Sequence, residues 1–338
     1  MCAPSTPVRV RGDLTTALTP SDSEKRYCDG VVPDEETVAD IPASQSPQLP
    51  FFFYKYIQLR SCISRGRFSV VCTASSCYHA HPHQVVIKFN SIKRMRDYVR
   101  LHNSVLTCES EARALRAVAH AHVLPLLDVF RTYLHVGLVT PHYAEGDLMS
   151  LVLRKGKQPE AHVKSYFTQL AGAVAHVHSL CFCHRDIKPE NVLLRVPASG
   201  DMFSVVLADF GLARQCCSPG DCTTVCGTPL YMAPEVHFLS TLSRLPRCES
   251  DCSAASLGYG FPADVWSMGI LLYVLLTNVS PFDESDLCWQ ILHQGIDFDD
   301  AVWQGVAPVA QHLVRMLLLR TASTRPVAGA ILQHAWLQ

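Results

Sequence analysis

A segment of eight residues in the middle of the chain combines the side chains that phosphoryl transfer requires. It covers residues 184–191 and reads HRDIKPEN. Such a transfer needs a carboxylate that orients the attacking hydroxyl, a cation near the moving group and an oxygen ligand for Mg²⁺. Asp186, Lys188 and Asn191 offer these three groups. We therefore predict that Asp186 and Lys188 are catalytic and that Asn191 binds Mg²⁺; a charged surface loop is the less favoured interpretation.

A second segment, Asp209-Phe210-Gly211, follows a short apolar run at residues 205–208 that is typical of a β-strand. A carboxylate at the end of a strand, next to a flexible glycine, can bind Mg²⁺ while the phenylalanine packs into the core. Alone, this tripeptide is a common way for a strand to end. Because it follows the first segment so closely, we predict Asp209 as a second magnesium ligand.

The elements that must position these segments fall into two parts of different class. The first part holds short β-branched and aromatic runs, which predict strands of an antiparallel sheet, and one stretch with helical spacing, which predicts a helix packed on that sheet. The second part is mostly helical. The predicted strands cover 54–59, 68–74 and 84–89, and the predicted helices cover 107–119, 162–180, 263–276, 307–319 and 327–337. We place a hinge between the two parts at residues 140–146.

Residues 1–50 differ in composition from the rest of the chain. They are rich in Pro, Ser, Thr, Asp and Glu and hold only isolated apolar residues. Such a stretch cannot bury enough surface to offset the entropy lost on ordering. We predict a disordered N-terminal extension there, and an inserted surface loop at residues 237–258.

The overall composition limits the classes of partner and the compartment. The 338 residues are 48% apolar and carry a formal net charge of −1, so a large core is expected and no general attraction to nucleic acid or to a membrane surface. Fifteen cysteines without an apolar leader predict reduced thiols in an intracellular compartment, the cytoplasm. The longest apolar run, residues 266–279, is too short for a membrane span and predicts a buried helix.

The motifs taken together resemble those of the eukaryotic protein kinases. The segments at 184–191 and 209–211, followed by Ala233-Pro234-Glu235, stand in the order of that family's catalytic loop, metal loop and activation-segment end. The resemblance covers residues 54–338. It implies an α+β fold with two lobes, a small antiparallel sheet plus one helix (54–140) over a larger, mainly helical lobe (147–338), with ATP and Mg²⁺ bound in the cleft.

The same resemblance implies which residues hold the nucleotide. Lys88 ends a Val-Val-Ile-Lys motif and is expected to hold the α- and β-phosphates. Glu111 is expected to pair with Lys88. Glu109 is the rival for this pairing, but Glu111 keeps Leu115 and Val118 on the packed face of the helix.

The loop that covers the nucleotide departs from the family pattern. Ser64 and Ser69 replace the two outer glycines, and only Gly66 remains. Glycine lets backbone N–H groups approach phosphate without a Cβ in the way, so the serines are expected to stiffen the loop or to weaken ATP affinity. Other predicted ATP contacts are Ile63, Phe68, Val71, the gatekeeper Thr140, and Asp147, which is placed to reach the ribose or a substrate cation.

Between Asp209 and Glu235, alignment with the family implies that Thr224 is a regulatory phosphosite for an upstream kinase. Thr223 is the close alternative, and an unmodified threonine remains open. A phosphate on Thr224 is expected to pair with Arg185 and Arg214.

Four further residues are expected to act as positioning groups. Thr228, in a Gly-Thr-Pro motif typical of serine/threonine kinases, is expected to orient Asp186. Asp264 resembles the buried residue that braces the catalytic loop, and Arg325 resembles the partner of Glu235. These roles are structural in the family.

The C-terminal half resembles the calcium/calmodulin-dependent protein kinase group in its segments at residues 272–276, 280–282, 295–298 and 334–337 and in Trp303. Members of that group often favour basic residues before the acceptor Ser or Thr, and Asp147 and Glu190 are expected to receive them. The predicted partners are protein substrates with Ser or Thr acceptors and basic flanks. Because the chain ends where that domain ends, we predict no regulation by calmodulin.

Two other interpretations stay open at the level of sequence. The altered nucleotide loop alone favours a pseudokinase scaffold, which binds nucleotide or partners without phosphotransfer. The second is structural zinc, although Cys-x₂-Cys pairs are missing, and Cys226 beside the predicted phosphosite suggests redox sensitivity. The zinc candidates are Cys72, Cys77, His79, His81 and His83, then Cys216, Cys217, Cys222 and Cys226, and also Cys248 and Cys252.

Overall fold

A computed structural model describes most of the chain after residue 57. The described residues are 58–76, 82–102, 109–196, 202–218, 220–242, 258–283, 285–296, 298 and 301–338. The predicted N-terminal extension, the start of the first predicted strand and most of the predicted inserted loop lie outside these ranges.

The N-terminal lobe is built on a five-stranded antiparallel sheet in the order β1-β2-β3-β5-β4. Strand β3 shows why the sheet has one face toward a cleft and one toward a core. Val85 and Ile87 are buried among Cys72, Ala74 and Val139, whereas Lys88, the next residue along, points to the opposite face. The strands are β1 Gln58–Arg65, β2 Ser69–Ser75, β3 Gln84–Ser91, β4 Asp128–Arg131 and β5 His135–Pro141.

Two helices belong to this lobe, whereas the sequence predicted one. Helix α2, Ser110–Ala117, lies within the predicted stretch, but helix α1, Ile92–His102, was missed. It follows β3 with no turn between them. Its start signal is Ser91, whose Oγ accepts a hydrogen bond from the backbone N–H of Arg94 at 3.4 Å, as helix-capping serines do.

The C-terminal lobe is mainly helical, with short paired strands. The predicted helix at 327–337 is shorter than expected, and the first six residues of the predicted inserted loop belong to a helix instead. The helices are α3 Leu148–Lys155, α4 Glu160–Ser179, α5 Pro234–Leu242, α6 Phe261–Thr277, α7 Leu287–Trp289, α8 Pro308–Leu317 and α9 Ala328–Ile331, and the strands are β6 Phe182–Cys183, β7 Val192–Arg195, β8 Ser204–Leu207 and β9 Arg214–Gln215. The α+β fold with two lobes is thus confirmed.

Helices α4 and α6 form the centre of the large lobe. Every residue of α6 from Ala263 to Thr277 is buried, which confirms the prediction of a buried core helix. Within the described ranges, no helix combines the length and apolar character needed to cross a membrane.

Candidate active site

A cavity of about 750 Å³ opens between the sheet and the helical lobe. It brings together residues that lie far apart in the chain, from strand β1 to the segment that begins at Asp209. Of the sequence-predicted residues, it is lined by Ile63, Ser64, Gly66, Ser69, Val71, Lys88, Glu111, Thr140, Asp147, Asn191 and Asp209.

Phe68 is the predicted ATP contact that does not line this cavity. Its ring centroid lies 4.8 Å from that of Tyr98 on helix α1, and the guanidinium carbon of Arg67 lies 4.6 Å from the Tyr98 ring centroid. The tip of the nucleotide loop is therefore attached to helix α1. Since α1 was missed in the sequence, this contact was missed with it.

Apolar walls of the cavity were also missed. They are supplied by Val86, Leu138, Leu193 and Ala208, together with Val71, which was predicted. A signal for Val86 exists, because alternate residues of a strand share a face and Val86 is two residues before Lys88. These side chains make part of the cavity wall apolar, as a site for a purine base requires.

Lys88 joins two carboxylates at the inner end of the cavity. Its Nζ donates to Glu111 Oε1 at 3.0 Å and to Asp209 Oδ1 at 2.7 Å. Burial acts to lower the pKa of Lys88, but attraction to Glu111 and Asp209 outweighs it, and the pKa is raised. Lys88 in turn lowers the pKa of Asp209 to about 2. Both groups therefore carry their charges at neutral pH.

Glu111, rather than the rival Glu109, makes the contact with Lys88. Glu109 pairs instead with Arg131 on strand β4. Burial and the neighbouring Asp209 raise the pKa of Glu111, in spite of Lys88, which acts to lower it. Because Lys88 is shared between two carboxylates, its positive charge does not fully offset the cost of burying the negative charge of Glu111.

Asp209 has a backbone conformation that few residues with a side chain adopt. Its φ is 59° and its ψ 71°, in the left-handed region. Strand β8 ends at Leu207, and Phe210, fully buried, anchors the chain in the core. The Asp209 side chain is left 46% exposed, and it faces the cavity. Such outliers concentrate at functional sites.

Asp186 does not line the cavity, but it lies in a network of hydrogen bonds that includes Asn191, which does. Its Oδ1 accepts from the N–H and the Oγ1 of Thr228, both at 2.9 Å, and its Oδ2 accepts from Asn191 Nδ2 at 3.0 Å. Lys188 Nζ donates to Thr228 Oγ1 at 2.6 Å and lies 3.4 Å from Asp186 Oδ2. The carboxylate is therefore held in one orientation from both sides.

Gly227 allows the activation segment, residues 209–235, to approach the catalytic loop, residues 184–191. Its φ is +106°, and a Cβ at this position would lie 2.5 Å from the carbonyl oxygen of Arg185. Only glycine satisfies both conditions. This close approach places Thr228, the next residue, against Asp186.

Asp264, at the start of helix α6, holds the catalytic loop from within the core. It is fully buried, and its two oxygens accept hydrogen bonds at 2.8 Å from the backbone N–H groups of His184 and Arg185 and from His178 Nε2. Arg185 has φ +70°, a conformation that these bonds help to impose. Asp264 is therefore placed to position Asp186 without reaching the cavity.

Replacing Asp264 with Asn is expected to destabilise the protein by roughly 3–5 kcal/mol, the range for breaking a buried charged network. Asparagine replaces one acceptor oxygen with an N–H₂ donor, so one buried backbone N–H, of His184 or Arg185, loses its acceptor. The free energy of unfolding in urea measures this effect. Asp286→Asn is the matched control, because Asp286 is exposed and its side chain makes no capping bond. Equal stability of the two variants would contradict the bracing role.

Arg325 and Glu235 form a two-pronged ion pair beneath the activation segment. Nη1 and Nη2 of Arg325 donate to the two Glu235 oxygens at 2.7 and 2.8 Å. The same guanidinium donates to the carbonyl oxygens of Pro262, Leu319 and Arg320. The pair thus ties the end of the activation segment to helix α6.

Thr224 and Thr223 are both exposed in the activation segment. The carbonyl oxygen of Thr224 accepts a hydrogen bond from the hydroxyl of Tyr259 at 2.7 Å. Arg185 is buried, and its Nη1 has no hydrogen-bond partner among the residues that the structure describes. Arg185 Nη1 is therefore available near this segment as an unused hydrogen-bond donor.

The predicted zinc candidates are not brought together as the sequence grouped them. Cys77, His79, His81, Cys248 and Cys252 lie outside the described residues. Cys216 and Cys222 meet, but their third neighbour is Cys183, which the sequence analysis did not consider. Cys217 is exposed, and Cys226 Sγ lies 3.5 Å from the Tyr259 hydroxyl.

A two-lobed fold with this cleft defines the class of the protein, a protein kinase. The family described as "Protein kinase domain" matches residues 57–337, and the chain belongs to that family. The prediction from sequence of a eukaryotic Ser/Thr kinase is thus confirmed.

Curated relatives bear protein kinase names. Calcium/calmodulin-dependent protein kinase type 1B of Rattus norvegicus is 32% identical over 83% of this chain and 74% of its own length. The probable serine/threonine-protein kinase fhkD of Dictyostelium discoideum is 29% identical over 83% of this chain and 37% of its own length. Serine/threonine-protein kinase DCLK3 of Mus musculus is 29% identical over 84% of this chain and 33% of its own length. The match thus spans about a third of the two latter relatives.

Proposed function

We propose that this chain transfers the γ-phosphate of ATP to Ser or Thr hydroxyls of protein substrates, with Asp186 at the chemical centre. The observation that carries the proposal is the cavity lined by Lys88, Asn191, Asp209 and apolar side chains, with Asp186 held beside it by hydrogen bonds to Asn191 and Thr228. In this arrangement Asp186 accepts the hydrogen bond of the attacking hydroxyl and orients it. Lys188 adds positive charge beside the moving phosphoryl group.

The cavity fits ATP and Mg²⁺ in both size and donor set. Its volume of about 750 Å³ lies in the range of nucleotide-sized sites, and Lys88 is a fixed cation for two phosphates. Asp209 exposes a carboxylate, and Asn191 directs its Nδ2 to Asp186, which leaves its Oδ1 free as an oxygen ligand. Bound Mg²⁺ would neutralise charge on the phosphates.

Thr228 and Asp264 serve the proposed reaction by positioning. Thr228 bridges Asp186 and Lys188 through one hydroxyl, so the two groups keep a fixed distance. Asp264 fixes the backbone that carries Asp186. Ser64 and Ser69 line the cavity roof, where we expect them to reduce ATP affinity relative to glycine.

The proposal is tested by transfer of ³²P from γ-labelled ATP, with Mg²⁺, to three otherwise identical peptides with Ser, Thr or Tyr as acceptor and basic residues before it. Transfer to Ser and Thr, little to Tyr, and none without Mg²⁺ is the expected result. A folded, nucleotide-binding chain that transfers to none of the three, before and after treatment with an activating kinase, would overturn the proposal in favour of a scaffold.

We propose Thr224 as the site at which an upstream kinase activates the enzyme. A phosphate there would offer oxygens to the spare donor of Arg185 and to Arg214, and charge-assisted bonds of this kind contribute about 1.5–3 kcal/mol each. Thr224→Ala is therefore expected to lose an activation of roughly 10-fold or more, as measured by kcat/KM before and after phosphorylation. Thr223→Ala is the matched control. Retained activation in Thr224→Ala with loss in Thr223→Ala would move the site to Thr223.

Basic residues before the acceptor are the proposed substrate preference. Glu190 lines the cavity, and its Oε2 is buried without a hydrogen-bond partner among the described residues. Asp147 is less free, because its Oδ1 accepts from the Ser150 N–H at 2.7 Å and caps helix α3. A peptide array should show selection for Arg or Lys that weakens in Glu190→Gln. An array without basic selection would reject this preference.

The domain limits and the compartment are also proposals. We propose a kinase domain over residues 54–338, with its hinge at 140–146, preceded by a disordered extension at 1–50, in the cytoplasm. Support comes from the family match, and from the nine cysteines of the described ranges, which are free thiols. Limited proteolysis and imaging of the tagged full chain test these points.

A further inference from the structure

Three buried cysteines from separate parts of the large lobe meet beside the catalytic loop. Cys183 ends strand β6, directly before His184, whereas Cys216 and Cys222 lie in the activation segment. Their Sγ atoms all lie within 4.8 Å of one another, and the residues are at most 2% exposed. In the part of the chain that the structure describes, this is the one group of three His, Cys, Asp or Glu side chains with the spacing of metal ligands.

We propose that this cysteine cluster, Cys183, Cys216 and Cys222, binds one thiophilic d¹⁰ cation, Zn(II) or Cu(I), through its sulfur atoms. Thiolates are soft ligands that select these ions, whereas Mg²⁺ and Ca²⁺ require oxygen. Each coordinated thiol releases its proton to solvent, so up to three protons leave per ion bound and no electron is transferred.

The sulfur positions are close to those that such an ion imposes. A Zn–S bond of about 2.3 Å places sulfur atoms about 3.8–4.0 Å apart around the metal. Cys216 and Cys222 have their Sγ atoms 2.8 Å apart, so coordination requires this pair to open by about 1 Å, which side-chain rotation can supply. A disulfide between Cys216 and Cys222, with an S–S bond of about 2.05 Å, would use two of the three sulfur atoms. It would not explain why the Cys183 sulfur lies beside them.

The surroundings favour a closed site with a compensated charge. The cluster packs among apolar neighbours that include Tyr231, Val236 and Tyr259, so it is shielded from bulk water. Three sulfurs suffice for trigonal Cu(I), whereas Zn(II) would complete its tetrahedron with one water molecule. Three thiolates around Zn(II) carry a net charge of −1. The buried guanidinium of Arg185 is close enough to act electrostatically on Cys216 and Cys222, and this opposite charge offsets the cost of burying an anion.

A cation in this cluster would join the activation segment to the strand that leads into the catalytic loop. Cys216 follows strand β9, which pairs with β6, and the backbone of Cys222 pairs with Tyr259. The bound ion would therefore hold the segment in place independently of a phosphate on Thr224. The metal site goes beyond the proposed phosphotransfer, and its binding is measurable without it.

The test is metal binding by the full chain, purified with a phosphine reductant and freed of metal. Zn(II) and, without oxygen, Cu(I) are titrated separately, with native mass spectrometry for stoichiometry and Co(II) as an absorbing probe of thiolate ligation. The wild type is expected to bind one equivalent. Cys183→Ser, Cys216→Ser and Cys222→Ser are each expected to bind at least about 100-fold more weakly, the upper end of the loss known for metal-supporting groups.

Cys217→Ser and Cys288→Ser are the matched controls, because both residues lie outside the cluster and Cys217 is exposed. They should bind like the wild type, and the bound ion should raise their Tm. Far-UV circular dichroism establishes that each variant folds. Should one cluster variant fail to fold, the other two still carry the test, since each removes one ligand.

Three results would overturn the proposal. The first is less than about a tenth of an equivalent bound to the folded, reduced wild type, and the second is unchanged metal affinity in Cys183→Ser. The third is an intact mass about 2 Da lower without reductant, lost in Cys216→Ser and Cys222→Ser, with no metal bound; this would assign the pair to a disulfide. Because the readouts are metal content and intact mass, none of these results depends on whether the chain transfers phosphate.

Discussion

Asp186→Asn is expected to lower kcat for peptide phosphorylation by about 10²- to 10⁴-fold, the usual contribution of a positioned acid or base. Asparagine keeps the size of the side chain and can still accept from Thr228. Its amide cannot take the hydrogen bond of the attacking hydroxyl as a carboxylate does. In the wild type, Asn191 Nδ2 donates to Asp186 Oδ2; in the variant, an N–H₂ group at that position would face a second donor. The KM for ATP should change less than about threefold, because by our proposal Asp186 orients the acceptor and not the nucleotide.

The split between kcat and KM is what separates a catalytic role from a merely structural one. Asp286→Asn, an exposed Asp outside the cavity, controls for the change of charge and should keep wild-type kinetics. Retention of more than about a tenth of kcat in Asp186→Asn would remove Asp186 from the chemical centre.

Lys88→Met is expected to lower kcat/KM by about 10²- to 10³-fold, the range for loss of one preorganised electrostatic group. Methionine matches the aliphatic part of the side chain and removes the charge that holds two carboxylates and, by our proposal, two phosphates. Steady-state kinetics with a varied ATP concentration measures the loss. Lys93→Met, an exposed lysine of helix α1, is the matched control.

Lys88→Met is also expected to change how the stability of the fold depends on pH. Burial raises the pKa of Glu111 even with Lys88 present, so without Lys88 the pKa of Glu111 and that of Asp209 should both rise. A carboxyl whose pKa is higher in the folded state stabilises the fold when protonated, and that stability is lost as pH rises through the folded pKa. When the pH falls from 7.5 to 5.5, the Tm of Lys88→Met should therefore rise relative to the Tm of the wild type at the same pH. Thermal denaturation at the two pH values measures this difference. A parallel pH profile in both proteins would contradict shared charge at this site.

The pseudokinase alternative rested on two serines in the nucleotide loop. In the folded chain Ser64 and Ser69 still line the cavity, and a Cβ on Gly66 would lie 3.2 Å from Ser69 Oγ, so the loop keeps a tight turn. The relatives carry kinase names, so the similarity to them does not favour a loss of activity. By our proposal, the two serines lower ATP affinity and leave phosphotransfer intact.

The amino-acid sequence by itself determined the class of fold and the identity of the chemical groups. The segment at 184–191 and the tripeptide at Asp209 are each continuous in the sequence. The order of their residues is therefore enough to predict their function. The buried helix α6 was predictable for a similar reason, because a long apolar run has one stable environment in a folded protein. Strand alternation could likewise have indicated that Val86 shares a face with Lys88.

The tertiary structure alone decided several contacts between groups that lie far apart in the chain. Lys88 and Asp209 are 121 residues apart in the chain and 2.7 Å apart in space, and no local pattern encodes such a distance. Phe68 turned away from the cavity because helix α1 offered Tyr98, and Cys183 joined Cys216 and Cys222 because strands β6 and β9 pair. Periodicity records which side of an element is buried, whereas the choice of neighbour depends on how the elements pack against each other. The cysteine cluster is therefore visible only after folding.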